Sequence, residues 1–223
     1  MPTPDSPAPR VTRRRLQTRA RLLDAAFDVF AAVGFGQASI EGICEAAGYT
    51  RGAFYSNFTD LDELFFALYD AKAELIARQL SEALAEAGPV FATATASDQS
   101  LPQLPEQPEL LRRVVDALLL DRDWLLVKTE FLLHAARRPA VAEALAAHRA
   151  TLRATVAQRL GELAERRQLP PLLADPDTAA HAVIAVHDGV TAQLILDGDT
   201  AGARTALHRM LTTLLTTEDP HGR

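Results

Sequence analysis

Apolar residues at Leu22, Ala26, Val29, Phe30 and Val33 recur at three- and four-residue spacing, which sets them on one face of a helix. The pattern predicts an amphipathic helix of about four turns, ended by Gly34. Ser39 is a suitable N-cap for a short second helix carrying Ile40, Ile43 and Ala47. Gly48 then supplies the backbone freedom that a tight turn requires. Thr50 caps a third short helix, Arg51 to about Asn57. Asp60 with Glu63 resembles a capping box and opens a fourth helix, which carries Leu61, Leu64, Phe65, Leu68 and Leu75 on one stripe until Gly88-Pro89 stops it near Ala87. From Gly88 to Glu109 the chain turns to Pro, Ser, Thr and Gln, with Pro102, Pro105 and Pro108, and reads as a long loop.

From Leu110 onward the period is helical, with boundaries near Asp121, Pro139, the Pro170-Pro171 pair and Leu196-Asp197-Gly198. Strand-like alternation is absent, so the fold class is all-α. The last two helices, about Pro176 to Leu196 and Thr200 to Thr217, are apolar around more than one face. Either they form the central core of a monomer or they pair with a second copy. We expect a homodimer interface built from Val183, Val190, Leu194, Leu207, Met210, Leu211 and Leu214. The expected organisation is a disordered Pro/Arg-rich tail over 1–14, a three-helix domain over 15–60, a helical domain over 61–217 and a tail over 218–223.

Composition narrows the classes that fit. At 48% hydrophobic and 23% charged residues the chain lies in the globular range. No uninterrupted apolar run reaches the roughly 18 residues of a membrane span, and the first nine residues lack the apolar core of a secretory signal. These features predict a cytoplasmic protein with no membrane partner. Cys44 is the one cysteine, which excludes disulfide scaffolds and cysteine-rich metal sites. The net charge of -6 hides an asymmetry, since residues 1–58 carry +2 and residues 59–223 carry -8. Only the front end favours a polyanion: Arg10, Arg13, Arg14, Arg15, Arg19 and Arg21 fall in one short window without an acid.

The segment from Ser39 to Tyr55 reads as helix, glycine-containing turn, helix, with Ala46 and Ala47 permitting close approach. Burying Tyr49 and Phe54 leaves Thr50, Arg51, Ala53, Tyr55, Ser56 and Asn57 pointing outward. A short helix bearing such donors fits the major groove of double-stranded DNA. These residues carry a resemblance. Ala25-Ala26, Phe30, Gly34-Phe35, Ile43, Ala46-Ala47-Gly48, the string Arg51-Gly52-Ala53-Phe54-Tyr55-Ser56-Asn57-Phe58 and Leu64-Phe65 resemble the DNA-binding domain of the TetR family of bacterial repressors.

The resemblance implies that Arg51, Gly52 and Ala53 lie against base edges and that Tyr55 and Asn57 contact phosphates. Thr18 and Ser39 would bind phosphates at helix N-termini, and Thr50 and Ser56 belong to the same DNA-facing set. It further implies a homodimer on a palindromic operator and release by a small-molecule effector held in the C-terminal helices, with repression as the expected outcome. An activator or a co-repressed regulator of the same fold is the alternative. Two positions depart from the family pattern: Asn57 stands where histidine is common, and Leu61 stands where a phosphate-binding lysine is usual. The arginine arm would compensate for the second.

For the effector pocket we expect Trp124, Phe131, His134 and His187, with Phe91 a further aromatic candidate. An enzyme is the competing class, resting on Glu130 and His134 at helical spacing with His181, His187 and Asp188 later. No motif supplies a third metal ligand, and no P-loop, nucleophile elbow or dinucleotide fingerprint occurs. The expectation is therefore no enzyme activity, no metal and no cofactor.

Overall fold

The computed structural model describes residues 13–86, 112, 115–116, 121–165 and 175–216. The loop expected over 88–109, Phe91, the Pro170-Pro171 boundary, the C-terminal tail and the side chain of Leu214 lie outside the described residues. Among the described residues every regular element is helical: α1 (Arg13–Val33), α2 (Ile40–Ala47), α3 (Arg51–Tyr55), α4 (Leu61–Glu86), α5 (Arg122–Ala136), α6 (Pro139–Glu165), α7 (Pro176–Asp197) and α8 (Thr200–Thr216). The chain divides between Tyr69 and Asp70 into two compact units. The division falls inside α4, beyond the boundary expected at residue 60, because Leu64, Phe65, Leu68 and Tyr69 are buried with the first unit.

In the first unit α1 spans 21 residues and begins at Arg13, so Arg13 and Arg14 are helical where a disordered tail was expected. Arginine propagates a helix well. The apolar stripe starts only at Leu22, and the stripe alone sets the shorter expectation. Leu22, Ala25, Ala26 and Phe30 are its buried face. Gly34, at φ 81°, ends the helix and donates its N–H to the Phe30 carbonyl at 2.9 Å. The Ser39 hydroxyl accepts the Gly42 N–H at 3.1 Å as N-cap of α2. Gly48 closes α2 in the left-handed conformation, φ 70° and ψ 33°, which a β-carbon would strain.

Buried phenylalanines hold α3 in place. Phe54 meets Phe58 at 5.7 Å between ring centroids, while Phe35 links Phe30 at 5.1 Å and Phe65 at 5.9 Å. A five-residue helix has too few internal hydrogen bonds to stand alone, so this packing supplies its stability. Cys44 is buried beside this cluster's helices as a free thiol, and burial pushes its pKa upward. At the start of α4, Asp60 accepts the Glu63 N–H at 2.8 Å, and the Glu63 carboxylate accepts the Thr59 N–H at 2.7 Å. This is the expected capping box, displaced by one residue on its return bond.

In the second unit α5 packs on α6 and α7, α6 on α7, and α7 on α8. Asp121 caps α5, accepting the N–H groups of Asp123 and Trp124 at 2.9 and 3.1 Å. Asp175 caps α7, with Pro176 preset for its first turn, and Gly198 ends it at φ 68°.

The interior corrects the expected dimer surface. Val183, Val190, Leu194, Leu207 and Leu211 are each at most 5% exposed within one chain, so they form core between α7, α8 and their neighbours. Periodicity marks a position as apolar without telling which chain covers it. Of the expected residues whose side chains are described, only Met210, at 44%, is exposed, and Leu196 on α7 is 84% exposed. The expectation that no uninterrupted apolar run reaches a span's length is met in α7 by Asp188, which interrupts it. By length and composition α7 is apolar enough to cross a membrane, though a third of that window is buried inside the chain. Its Asp188 is engaged by two cations, as described below.

Candidate functional site

α2 and α3 form a helix-turn-helix with α3 outermost. Thr50 caps α3, its hydroxyl accepting the Ala53 N–H at 3.3 Å. As acceptors, Ser39 and Thr50 keep their own hydroxyl protons to offer a phosphate oxygen. Phe54 faces inward with no exposure, while Arg51, Gly52, Tyr55 and Ser56 are exposed and Ala53 is partly so. A β-carbon at Gly52 would meet only the Thr50 hydroxyl, at 3.7 Å. The outer face of α3 is therefore low enough for backbone to approach base edges.

Arg51 is held ready. It pairs with Glu41 at 2.7 Å and donates to the Tyr55 hydroxyl at 3.4 Å, its guanidinium 5.9 Å from that ring's centroid. The hydrogen bond it donates to Tyr55 and then the charge of Glu41 raise its pKa. Both partners of the ion pair are more than half exposed, so the pair orients the side chain more than it stabilises the fold.

Three expected contacts are turned back onto the preceding helical turn. Thr18 lies within α1, not at its N-terminus, and its hydroxyl donates to the Arg14 carbonyl at 3.0 Å. The Ser56 hydroxyl donates to the Gly52 carbonyl at 2.8 Å, and the Asn57 amide donates to Ala53 at 2.8 Å. Such bonds back to the preceding turn are the usual competitors of outward contacts for these residue types. Leu61, in the place of the usual lysine, is half-buried at the start of α4.

The four expected pocket residues fall into two groups. Trp124 and Phe131 are buried on α5, with Lys72 5.7 Å from the Trp124 centroid and His134 stacked on Phe131 at 5.4 Å. His134 Nδ1 also meets Arg138 at 2.9 Å, and His181 Nδ1 meets the Asp177 carbonyl at 2.9 Å. Among the described residues no three His, Cys, Asp or Glu side chains gather to hold a metal ion.

His187 belongs to a polar knot that the sequence reading missed. Asp188 on α7 receives Lys128 of α5 at 3.1 Å and Arg149 of α6 at 2.8 Å, with His187 Nδ1 at 3.7 Å. Burial alone would raise the Asp188 pKa. The neighbouring His187 imidazole, the Lys128 charge and the hydrogen bond from Arg149 outweigh it and hold the carboxyl well below the usual range. Burial pulls Lys128 below the ordinary lysine value despite Asp188. His187 Nε2 is buried and finds no hydrogen-bond partner among the described residues. Lys128 itself sits four residues after Trp124 and three before Phe131, on the stripe of α5 that is otherwise apolar.

This knot makes a test of stability. Because ionised Asp188 is favoured by folding, its contribution is complete above the unfolded aspartate value of about 3.9 and fades as pH falls below it. Asp188→Asn should destabilise the protein by about 2–3 kcal/mol at pH 7, less than a fully buried pair because about a third of the side chain is exposed. Lys128→Met should be milder, since Arg149 still faces the carboxylate. Urea unfolding at pH 7 and pH 3 checks both. The Asp188→Asn difference should shrink only at the acid end, and equal losses for the two variants would reject the stated hierarchy.

Comparison with known proteins follows the same division. Residues 22–68 match the family described as bacterial regulatory proteins, tetR family, and residues 108–217 match the C-terminal domain of BetI-type transcriptional repressors. The HTH-type transcriptional regulator ArpR of Pseudomonas putida is 30% identical over 81% of this chain and 81% of its own. The HTH-type transcriptional repressor Rv1474c of Mycobacterium tuberculosis is 39% identical over 31% of this chain, and the match spans 37% of that protein. The solved structure of the multidrug binding protein EbrR, complexed with imidazole, has a TM-score of 0.57 at 26% identity, covering 91% of this chain and 97% of that one. The helix-turn-helix, the helical second unit and these relatives together place the chain in the TetR family, as a DNA-binding transcriptional regulator.

Proposed function

We propose that the chain is a repressor that binds a palindromic operator as a homodimer and leaves it when a small molecule occupies the C-terminal helices. The observation that carries this reading is the outer face of α3, where Arg51, Gly52, Ala53 and Tyr55 stand clear of the fold while Phe54 anchors the helix from behind. Two such faces on one two-fold dimer would lie about one DNA turn apart, roughly 34–36 Å, and read inverted half-sites. In this reading the chain acts in the cytoplasm by binding alone and catalyses no reaction.

The dimer seam lies on the outside of α7. Ala182, Ala185, Gly189, Ala192 and Leu196 follow the alternating three- and four-residue spacing of a helix-pairing seam, and all but the half-exposed Ala182 are exposed. Met210 on α8 extends it. Small residues allow two helices to approach closely, and Leu196 gains cover it lacks in one chain.

The effector is proposed to engage the Trp124, Phe131, His134 and His187 region, with the buried acceptor His187 Nε2 taking a donor from it. EbrR, described as a multidrug binding protein, supports a small-molecule role. α4 begins in the first unit and continues into the second, so a pivot of this one helix would couple effector to operator.

Selection from a random duplex library at about 150 mM salt tests the reading, because non-specific phosphate binding is weak there. Enrichment of one palindrome is the expected result. Enrichment only when a small molecule is added would reverse the sign of regulation, and none under either condition would overturn the proposal.

A further inference from the structure

The arginine cluster of α1 does two different jobs. Arg15 Nη2 donates to the Ser56 carbonyl at 3.2 Å, and Arg19 Nη1 donates to the Asn57 carbonyl at 3.2 Å. Arg19 also lies over the buried Phe58 ring, 4.4 Å from its centroid. Four residues apart, the two arginines share one face of α1, and that face looks at the carbonyl end of the recognition helix.

The carbonyl end needs such partners. The Gly52 carbonyl accepts from the Ser56 backbone and hydroxyl, Ala53 from the Asn57 amide, and Phe54 from the N–H groups of Asn57 and Phe58. Past Tyr55, the carbonyls of the cap residue Ser56 and of Asn57 take bonds from the two guanidinium groups. Positive charge at a helix C-terminus is favourable, and a guanidinium stacked on an aromatic face gains further. A helix of only five residues has little else to fix its angle.

We infer that Arg15 and Arg19 are positioning residues that clamp the end of the recognition helix, and are not phosphate contacts as the charge of the arm suggested. Arg14, exposed on α1, remains a candidate for phosphate. The inference rests on the DNA-reading role proposed above, yet the clamp itself has a readout without DNA.

The test uses the full chain with Arg19→Gln, Arg19→Lys, Arg15→Gln and, as a control, Arg14→Gln. Probes are the palindromic duplex selected by the wild type and a random-sequence duplex of equal length. Clamp loss should lower palindrome affinity about tenfold, on the scale of one mispaired reading position, while random-duplex affinity holds. Arg19→Lys should fail to rescue, because an ammonium neither stacks nor donates like a planar guanidinium. Amide exchange over residues 51–58 should quicken in the clamp variants and stay unchanged in Arg14→Gln.

Rescue by lysine, or a salt slope shallower by about one per lost charge with unchanged exchange, would identify phosphate contacts and overturn the clamp. Equal loss on both duplexes would reduce the arginines to general fold stability and overturn it too. Arg15 is exposed and makes one bond there, so Arg15→Gln keeps the test open if Arg19→Gln does not fold. Should the wild type select no palindrome, the DNA reading has failed, and exchange over residues 51–58 alone decides the clamp.

Discussion

Gly189→Trp should convert the protein to a monomer and lower operator affinity by roughly 10²–10⁴-fold, the gain normally supplied by linking two reading heads. Gly189 is exposed at the middle of the seam proposed on α7, and a β-carbon built there meets nothing within 4 Å among the described residues. Its backbone is helical and it is exposed, so a larger side chain there points to solvent in the isolated chain, and replacing helical glycine with tryptophan gains roughly a few tenths of a kcal/mol. The same side chain between two closely approaching helices would hold them apart. Light scattering, operator titration and thermal melting separate these effects. The expected outcome is a monomer that melts no lower than wild type and binds DNA poorly. A dimer with wild-type affinity would place the interface elsewhere.

Arg51→Ala is the second large effect. A side chain with two donors on the acceptor edge of guanine discriminates by about 1–3 kcal/mol per site, so two half-sites lose about 2–6 kcal/mol. The fold should be unaffected, since the pair with Glu41 is exposed on both sides. The loss should fall on one base-pair position of each half-site, with the salt dependence nearly unchanged. Arg51→Lys should recover little, because a point charge cannot match two acceptors at once. A uniform loss across sequences with a shallower salt slope would instead assign Arg51 to the phosphate backbone. Selection with the variant over a randomised half-site distinguishes the two results.

The sequence made the local punctuation legible. Ser39, Thr50, Asp60, Asp121 and Pro176 each begin a helix by chemistry that acts within a few residues, and Gly34, Gly48 and Gly198 end helices because the backbone turns left-handed there. What crosses between helices was not legible. Lys128, Arg149 and Asp188 lie on three helices and share a site only after packing, and no spacing rule links them. The seam proposed on α7 is hidden from the sequence for a different reason. Hydropathy points to Val183, Val190 and Leu194, which the chain's own helices cover, while Ala185, Gly189 and Ala192 are too small to register as a face.

The outward side of α3 followed from one fact, that Phe54 must go inside. Its individual donors did not. Thr18, Ser56 and Asn57 have the right chemistry for phosphate, but each hydroxyl or amide reaches a carbonyl four residues back in the chain. A resemblance gives residue types at positions, and only geometry shows which way a rotatable donor turns.

Cys44 is the chain's one cysteine, and it is buried inside the helix-turn-helix unit, where burial raises the pKa of its thiol. A thiol-reactive dye can then label the protein only when that unit opens. Labelling kinetics therefore clock the breathing of the reading head with no engineered probe and no background from the rest of the molecule. Operator added to the same reaction would lengthen the clock by the amount that DNA tightens this unit, and an effector that releases DNA would restore it.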